Sequence, residues 1–187
     1  MSLSPPAARQ HLHTRTIVCE GFEREDGLFD IEARMVDTKT FDFDPSGRGH
    51  MAAGTPLHDM QLRLTVDKDR VVHDIEVTTH SAPYSDCFTV APAYKALIGA
   101  SLSSGWRRAI NQAVGGIKAC THLSELLMPA ATVAFQTTEG AQRSARRLIP
   151  AGSDSPKPFF VNQCKGWAES GDVVKRLFPQ WYIKPVE

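Results

Sequence analysis

The N-terminal third of the chain alternates between apolar and polar residues with a period of two. In LFDIEARMV, residues 28–36, every second side chain is apolar, which is the pattern of a strand with one buried face. The segment before it, residues 14–22, is also strand-like. Asp26 and Gly27 lie between the two segments, and glycine tolerates the positive φ that a tight hairpin turn requires. These features predict a β-hairpin.

A second hairpin follows a polar stretch. Residues 42–55 are rich in glycine and show no periodicity, which is typical of a long loop. Residues 60–66 (MQLRLTV) alternate again, DKDR is a turn sequence, and residues 71–80 (VVHDIEVTTH) supply the partner strand. The chain therefore predicts an antiparallel sheet of four or five strands.

Beyond Pro83 the apolar spacing becomes helical. Residues 92–102 and 105–114 are predicted as two helices or one broken helix, and a third is expected to begin near Cys120, with Pro129 as a kink or break. From residue 136 the sequence reads as a polar connection followed by one short helix, SGDVVKRLF. The predicted fold is a single α+β domain over residues 11–187, with three or four helices on one face of the sheet. Its core would span residues 54–135, residues 136–187 would form a C-terminal extension, and residues 1–10 a disordered lead.

Composition narrows the classes of partner. The chain has 187 residues, 42% of them hydrophobic, and its 21 basic residues balance its 21 acidic residues. With no net charge, the chain has no overall electrostatic attraction to nucleic acid or to an anionic membrane, so we expect neither as a partner. No apolar run approaches the roughly 18 residues of a membrane span, and MSLSPPAARQ does not resemble a secretory signal. We expect a cytoplasmic protein, with its oligomeric state open.

Four polar residues lie at the boundaries of the predicted elements. Asp59 precedes a strand, Cys87 follows its partner strand, and Cys120 and His122 open the third helix. Such boundaries can aim side chains into a shared cleft. Carboxylate, thiolate and imidazole together are a ligand set for zinc or iron. Asp59, Cys87, Cys120 and His122 are therefore candidate metal ligands, and the alternative from the residues alone is a set of buried structural cysteines with a capping histidine.

Two further residues are supporting candidates for this site. His58 directly precedes Asp59, and Glu125 lies three residues after His122 on the same helical face. A carboxylate at that spacing could orient the imidazole.

The order of features from residue 54 to 135 resembles that of the U-type iron–sulfur cluster scaffold proteins. The stretches that carry the resemblance are GTPLHDMQLRLTVDKDRVVHDIEVTTHSAPYSDC, ALIGASLSSG and IKACTHLSELLMPAATVAF. The resemblance implies that Asp59 and Cys87 are site residues and that Cys120 or His122 supplies the last ligands. Two features differ from that family. Its first ligand is a cysteine, whereas His58 lies near that place here, and its last two ligands are adjacent, whereas Thr121 separates Cys120 from His122 here. A mononuclear zinc or iron site is therefore the expectation that we carry over.

The whole chain is also similar to a bacterial family of uncharacterised proteins. This similarity is carried by DGLFDIEARMVDTK, PLHDMQLRLTVD and GGIKACTHLSELL. It implies no activity.

Two other functions remain open from the sequence. One is an enzyme without metal, in which Cys87 or Cys120 is the nucleophile and His122 or His58 the general base. The other is a non-catalytic accessory protein whose polar cluster is structural. A further acidic set is expected to lie mostly on the solvent face of its strand; it comprises Asp26, Asp30, Glu32 and Asp37.

Overall fold

A computed structural model of the protein describes residues 3–46, 48–145, 157–158 and 160–185, and of residues 141–145 it describes the backbone alone. The chain divides into two compact units, residues 1–140 and residues 141–187. The first unit holds the sheet and the candidate site.

The sheet has four antiparallel strands in sequence order. They are β1 (His13–Glu23), β2 (Phe29–Lys39), β3 (His58–Val66) and β4 (Val72–Ser81). Both predicted hairpins are confirmed, and β2 also pairs with β3 across the intervening loop. Gly27, in the first turn, has φ of +82°, a conformation that favours glycine.

One face of the sheet is apolar and buried. Its core residues alternate along the two central strands, as period-2 patterning requires. They are Phe29, Ile31, Ala33 and Met35 of β2, and Met60, Leu62, Leu64 and Val66 of β3. The opposite face carries cross-strand ion pairs, among them Arg63 with Glu32 and Glu76. We call these the inner and the outer face.

Short helical segments connect the sheet to the main helices. Two 3₁₀ segments, Ser85–Phe88 and Ala91–Leu97, precede α1 (Trp106–Val114), and a third, Gly116–Lys118, follows it. The helix predicted over 92–102 is therefore a 3₁₀ segment that ends at Leu97. Beyond it the chain turns at Gly99, with φ of +85°, and residues 99–101 run along the start of β4.

The long helix α2 (Thr121–Ala145) lies against the inner face, where Thr137 approaches Gly21 of β1 and Glu125 contacts Arg15. It buries Leu123, Leu126, Leu127, Ala130 and Ala134. It continues through Pro129, and it extends through residues 136–145, so the predicted polar connection is wrong over those residues. Residues 146–156 of that connection lie outside the described residues. The α+β class with an antiparallel sheet and helices is confirmed.

The second unit has its own small apolar cluster. Its elements are two 3₁₀ segments, Lys165–Trp167 and Pro179–Trp181, on either side of α3 (Asp172–Leu177), which is the predicted short helix. Val161, Val174 and Phe178 are buried together, with aromatic rings around them. Among the helices in the described ranges, none combines the length and apolar character that a bilayer span requires.

Candidate metal centre

Three side chains form a row across the inner face, near the end of the sheet where β3 begins. Arg15 of β1 lies directly opposite Asp37 of β2, and Asp37 lies directly opposite His58 of β3. Directly opposed residues on one face lie within side-chain reach of each other. The row therefore follows from strand register alone.

Asp37 is held by both of its neighbours. Its side chain is 1% exposed. Arg15 donates from Nε to Oδ1 and from Nη2 to Oδ2, both at 2.8 Å, the two-pronged geometry that guanidinium and carboxylate favour. Burial alone would raise the pKa of Asp37, but the hydrogen bonds and charge of Arg15, and then those of His58, outweigh it and lower the pKa below its ordinary value. Asp37 is thus an ionised acceptor.

This carboxylate sets the tautomer of His58. Nδ1 of His58 lies 2.9 Å from Oδ2 of Asp37, and an ionised carboxylate can only accept, so Nδ1 donates. The pKa of His58 is lowered, mainly by burial and then by the charge of His122. Asp37 acts in the opposite direction but does not outweigh them. A neutral ring with its proton on Nδ1 presents the lone pair of Nε2, the form in which histidine binds metals.

His122 brings a second imidazole to the row. It lies in the first turn of α2, and its ring stacks on that of His58 with centroids 3.9 Å apart and planes 30° apart. One donor atom each from Asp37, His58 and His122 lies within 4.8 Å of the others. Ligands bound at about 2.1 Å are at most about 4.2 Å apart, so the separation of these donors is close to that of ligands around one ion.

Cys120 lies beside His122 at the start of α2. Its Sγ is 3.9 Å from Nδ1 of His122 and 3.9 Å from Sδ of Met60 on the inner face. The Tyr94 hydroxyl donates to the Cys120 carbonyl at 2.8 Å, and burial raises the pKa of Tyr94 to about 12. This neutral donor fixes the backbone from which Cys120 and His122 project.

Glu125 contacts Arg15 in the structure. Arg15 Nη1 donates to Oε2 of Glu125 at 2.6 Å, so one guanidinium joins α2 to Asp37. His13 Nε2 also approaches Oδ1 of Asp37, at 3.3 Å. The carboxylate that binds a site histidine is thus Asp37, whereas Glu125 holds the arginine behind it.

The other two predicted ligands lie elsewhere on the scaffold. Asp59 is on the outer face, because it follows His58 in β3, and it accepts from Arg34 at 2.9 and 2.8 Å. Those hydrogen bonds lower the pKa of Asp59. Cys87 lies in the 3₁₀ segment after β4, where its carbonyl accepts from Thr79. The three-residue donor cluster found in the described part of the chain contains neither of them, and of the four predicted ligands it contains His122 but not Cys120.

Asp37 was the residue that sequence reasoning missed. The acidic set was expected to lie mostly on the solvent face, and Asp37 departs from this. The signal was present, because Asp37 follows Met35 by two residues and period-2 alternation therefore places it on the buried face.

Comparison with known families bears on the same part of the chain. Residues 13–136 match the family described as "Protein of unknown function (DUF2889)". The chain belongs to this family. The match spans the four strands, Cys120 and the Asp37–His58–His122 cluster, and the family's description assigns no activity. No curated protein and no solved structure matches the chain, and the resemblance to cluster scaffold proteins is not confirmed.

Proposed function

We propose that this DUF2889 protein binds one divalent transition-metal ion, zinc or iron, through His58 and His122. The observation that carries the proposal is the buried hydrogen bond from His58 to Asp37. Metal-ligating histidines characteristically donate their second ring nitrogen to a carboxylate, which fixes the tautomer and raises the basicity of the ligand. The stacked His122 ring supplies a second imidazole in the same place.

Asp37 serves in this proposal as the orienting carboxylate. Both of its oxygens already accept from Arg15, and one accepts from His58 as well. A direct bond to the ion would break part of this paired arrangement inside the protein, which is costly. Asp37 therefore acts on the ion through His58.

Cys120 is the proposed third ligand. Its Sγ lies 3.9 Å from His122, and two imidazoles with one thiolate suit both zinc and iron. Three protein ligands leave a fourth position for water or a small substrate, where an ion acts as a Lewis acid. The proposal does not extend to cluster assembly, because Asp59, which the scaffold resemblance implies as a site residue, lies on the outer face with Arg34.

The contact between Cys120 and His122 favours a second candidate function. A thiol at the start of a long helix, beside an imidazole, is the arrangement of a cysteine nucleophile with its general base. In this case Asp37 and His58 would support His122 through the stacked rings. The two candidates share residues but differ in whether a metal is needed.

A cobalt titration of the metal-free full chain, produced without a histidine tag, tests the proposal. We expect one Co²⁺ per chain, with the visible bands of a four-coordinate ion and a sulfur-to-metal charge-transfer band. His122→Ala should weaken binding by at least about 100-fold. His73→Ala is the matched control, since His73 is an exposed histidine of β4 that pairs with Asp67. Absence of binding by Co²⁺, Zn²⁺ and Fe²⁺ would overturn the proposal, and selective alkylation of Cys120 that His122→Ala slows would then favour the thiol.

A further inference from the structure

The two edge strands of the sheet differ in whether their outer backbone groups are hydrogen-bonded. At the β4 edge, Val72 donates to the Ala100 carbonyl at 2.9 Å and accepts from Gly99 at 2.8 Å, so residues 99–101 cover the start of that strand. At the other edge, β1 pairs with β2 along all eleven of its residues. Within the described ranges the sheet ends at β1, whose second side is an unpaired edge.

The β1 edge lacks most of the features that block strand pairing. Natural edge strands are commonly protected by proline, by lysine, by a bulge or by short length. β1 (HTRTIVCEGFE) contains neither proline nor lysine, and its register with β2 is continuous over eleven residues. Its one inward-pointing arginine, Arg15, is engaged by Asp37 and Glu125. β1 therefore carries few of the features that commonly prevent a second strand from pairing.

Apolar side chains are exposed on both faces of β1. Ile17 on the inner face is 42% exposed, and Val18 and Phe22 on the outer face are 50% and 45% exposed. A strand added at this edge would cover part of each. The surface combines unpaired backbone groups with apolar contacts, which is the combination used in recognition by β-strand addition.

We propose that β1 pairs antiparallel with β1 of a second copy of this chain, around a two-fold axis at Val18. The result is a dimer with a continuous eight-stranded sheet. Val18 is the midpoint of His13–Glu23, so this register pairs every residue of both strands. A two-fold contact of this kind is self-complementary and closes after two copies.

The side-chain pairs of this register favour a second copy as the occupant. Val18 opposes Val18 and Ile17 opposes Cys19, so the centre is apolar. No two like charges are opposed, and His13 meets Glu23 at each end. The remaining pairs are Thr14 with Phe22, Arg15 with Gly21, and Thr16 with Glu20. Directly opposed pairs of this kind are the unit of sheet stabilisation.

Charge substitution on the axis tests the proposal. Sedimentation of the full chain between about 1 and 100 µM should show a dimer, and Val18→Lys or Val18→Glu should each raise its dissociation constant by at least about tenfold, because like charges then oppose each other. An equimolar mixture of the two variants should restore the dimer as a heterodimer. Thr78→Lys adds the same charge at an exposed outer-face position of β4 and should leave dimerisation unchanged.

Three results would overturn the proposal: a wild-type monomer throughout that range, a dimer that Val18→Lys leaves intact, or a mixture that stays monomeric. Circular dichroism and thermal unfolding establish that the variants are folded. If they are not, amide hydrogen exchange of the wild-type chain decides instead. The β1 amides not bonded to β2 should be protected at concentrations where the dimer forms, and exchange of these amides at the rate of an open edge at every concentration would contradict the dimer.

Discussion

Asp37 and His58 oppose each other across β2 and β3, with 2.9 Å between Oδ2 of Asp37 and Nδ1 of His58. The strand register places them together, and the hydrogen bonds and charge of Arg15 keep the carboxylate ionised despite its burial. One proton is thereby confined to Nδ1, and Nε2 is left as a base or ligand. The proposed chemistry of the site depends on this relationship.

Replacing the orienting carboxylate should weaken metal binding without abolishing it. In Asp37→Asn the side chain loses its charge and can no longer accept from all of its present partners, so the His58 tautomer is less firmly fixed. We expect cobalt affinity to fall by about 10- to 100-fold. Asp59→Asn makes the same chemical change on the outer face, at another arginine-paired carboxylate, and should leave affinity unchanged. Equal affinities in the two variants would contradict the role assigned to Asp37.

Removing Arg15 should destabilise the metal-free fold. Arg15→Met keeps much of the side-chain length but leaves Asp37 charged, buried and without its main partner. Breaking a buried pair in this way costs several kcal/mol, and because Arg15 is itself about one-third exposed we expect a loss of about 2–3 kcal/mol. Urea unfolding in the presence of a chelator measures it. Arg34→Met removes the corresponding pair on the outer face, where the Arg34 side chain is 54% exposed, and should cost less than Arg15→Met.

The turn between β3 and β4 should make a pH-dependent contribution to stability. Asp67 accepts from the amides of Asp69 and Val71 and from His73. Burial alone would raise the pKa of Asp67, but these hydrogen bonds outweigh it and lower the pKa. Since the folded pKa lies below the unfolded value of about 3.9, the contribution is complete above that value and is lost as pH falls through the folded pKa.

Asp67→Asn should therefore reduce stability at neutral pH by about 1–2 kcal/mol, and the difference from wild type should shrink in acid. Asp69→Asn makes the same change at an exposed position of the same turn and serves as the control. Urea unfolding at a series of pH values compares the three proteins. A difference that persists unchanged below the folded pKa of Asp67 would show that the turn carboxylate has no such linkage.

Packing of β1 against α2 depends on a glycine. A Cβ built on Gly21 would lie 1.8 Å from Oγ1 and 2.9 Å from Cβ of Thr137. Gly21→Ala should therefore destabilise the fold by about 1–3 kcal/mol, and Thr137→Ala in the same chain should recover part of the loss. A Cβ built on Gly140 would have no neighbour within 4 Å, so Gly140→Ala should stabilise the helix by up to about 1 kcal/mol. Thermal unfolding separates these outcomes, and a neutral Gly21→Ala would contradict the close approach.

Much of the fold follows from local patterns in the sequence. Alternation predicted both hairpins, because a strand with one buried face must repeat every two residues. The same rule places His58 and Asp59 on opposite faces of the sheet. Met60, Leu62 and Leu64 lie on the inner face, so His58 lies there too and Asp59 lies on the outer face. The sequence-based site counted Asp59 as a ligand because it considered position along the chain without this parity.

The part of the site that joins two elements was not predictable in the same way. That His122 stacks on His58 depends on where α2 crosses the sheet, which in turn depends on close approaches such as that of Gly21 to Thr137. These are contacts between residues far apart in sequence. The continuation of α2 through residues 136–145 was likewise missed, because its polar residues gave no apolar stripe to mark it.

Zinc K-edge X-ray absorption on the full chain loaded with one equivalent of Zn²⁺ tests the proposed ligand set. We expect two imidazole ligands near 2.0–2.1 Å and one sulfur near 2.3 Å. The imidazole scattering should fall by half in His58→Ala and in His122→Ala, and should stay unchanged in His73→Ala. A spectrum with only oxygen ligands, or one that neither His58→Ala nor His122→Ala alters, would contradict it.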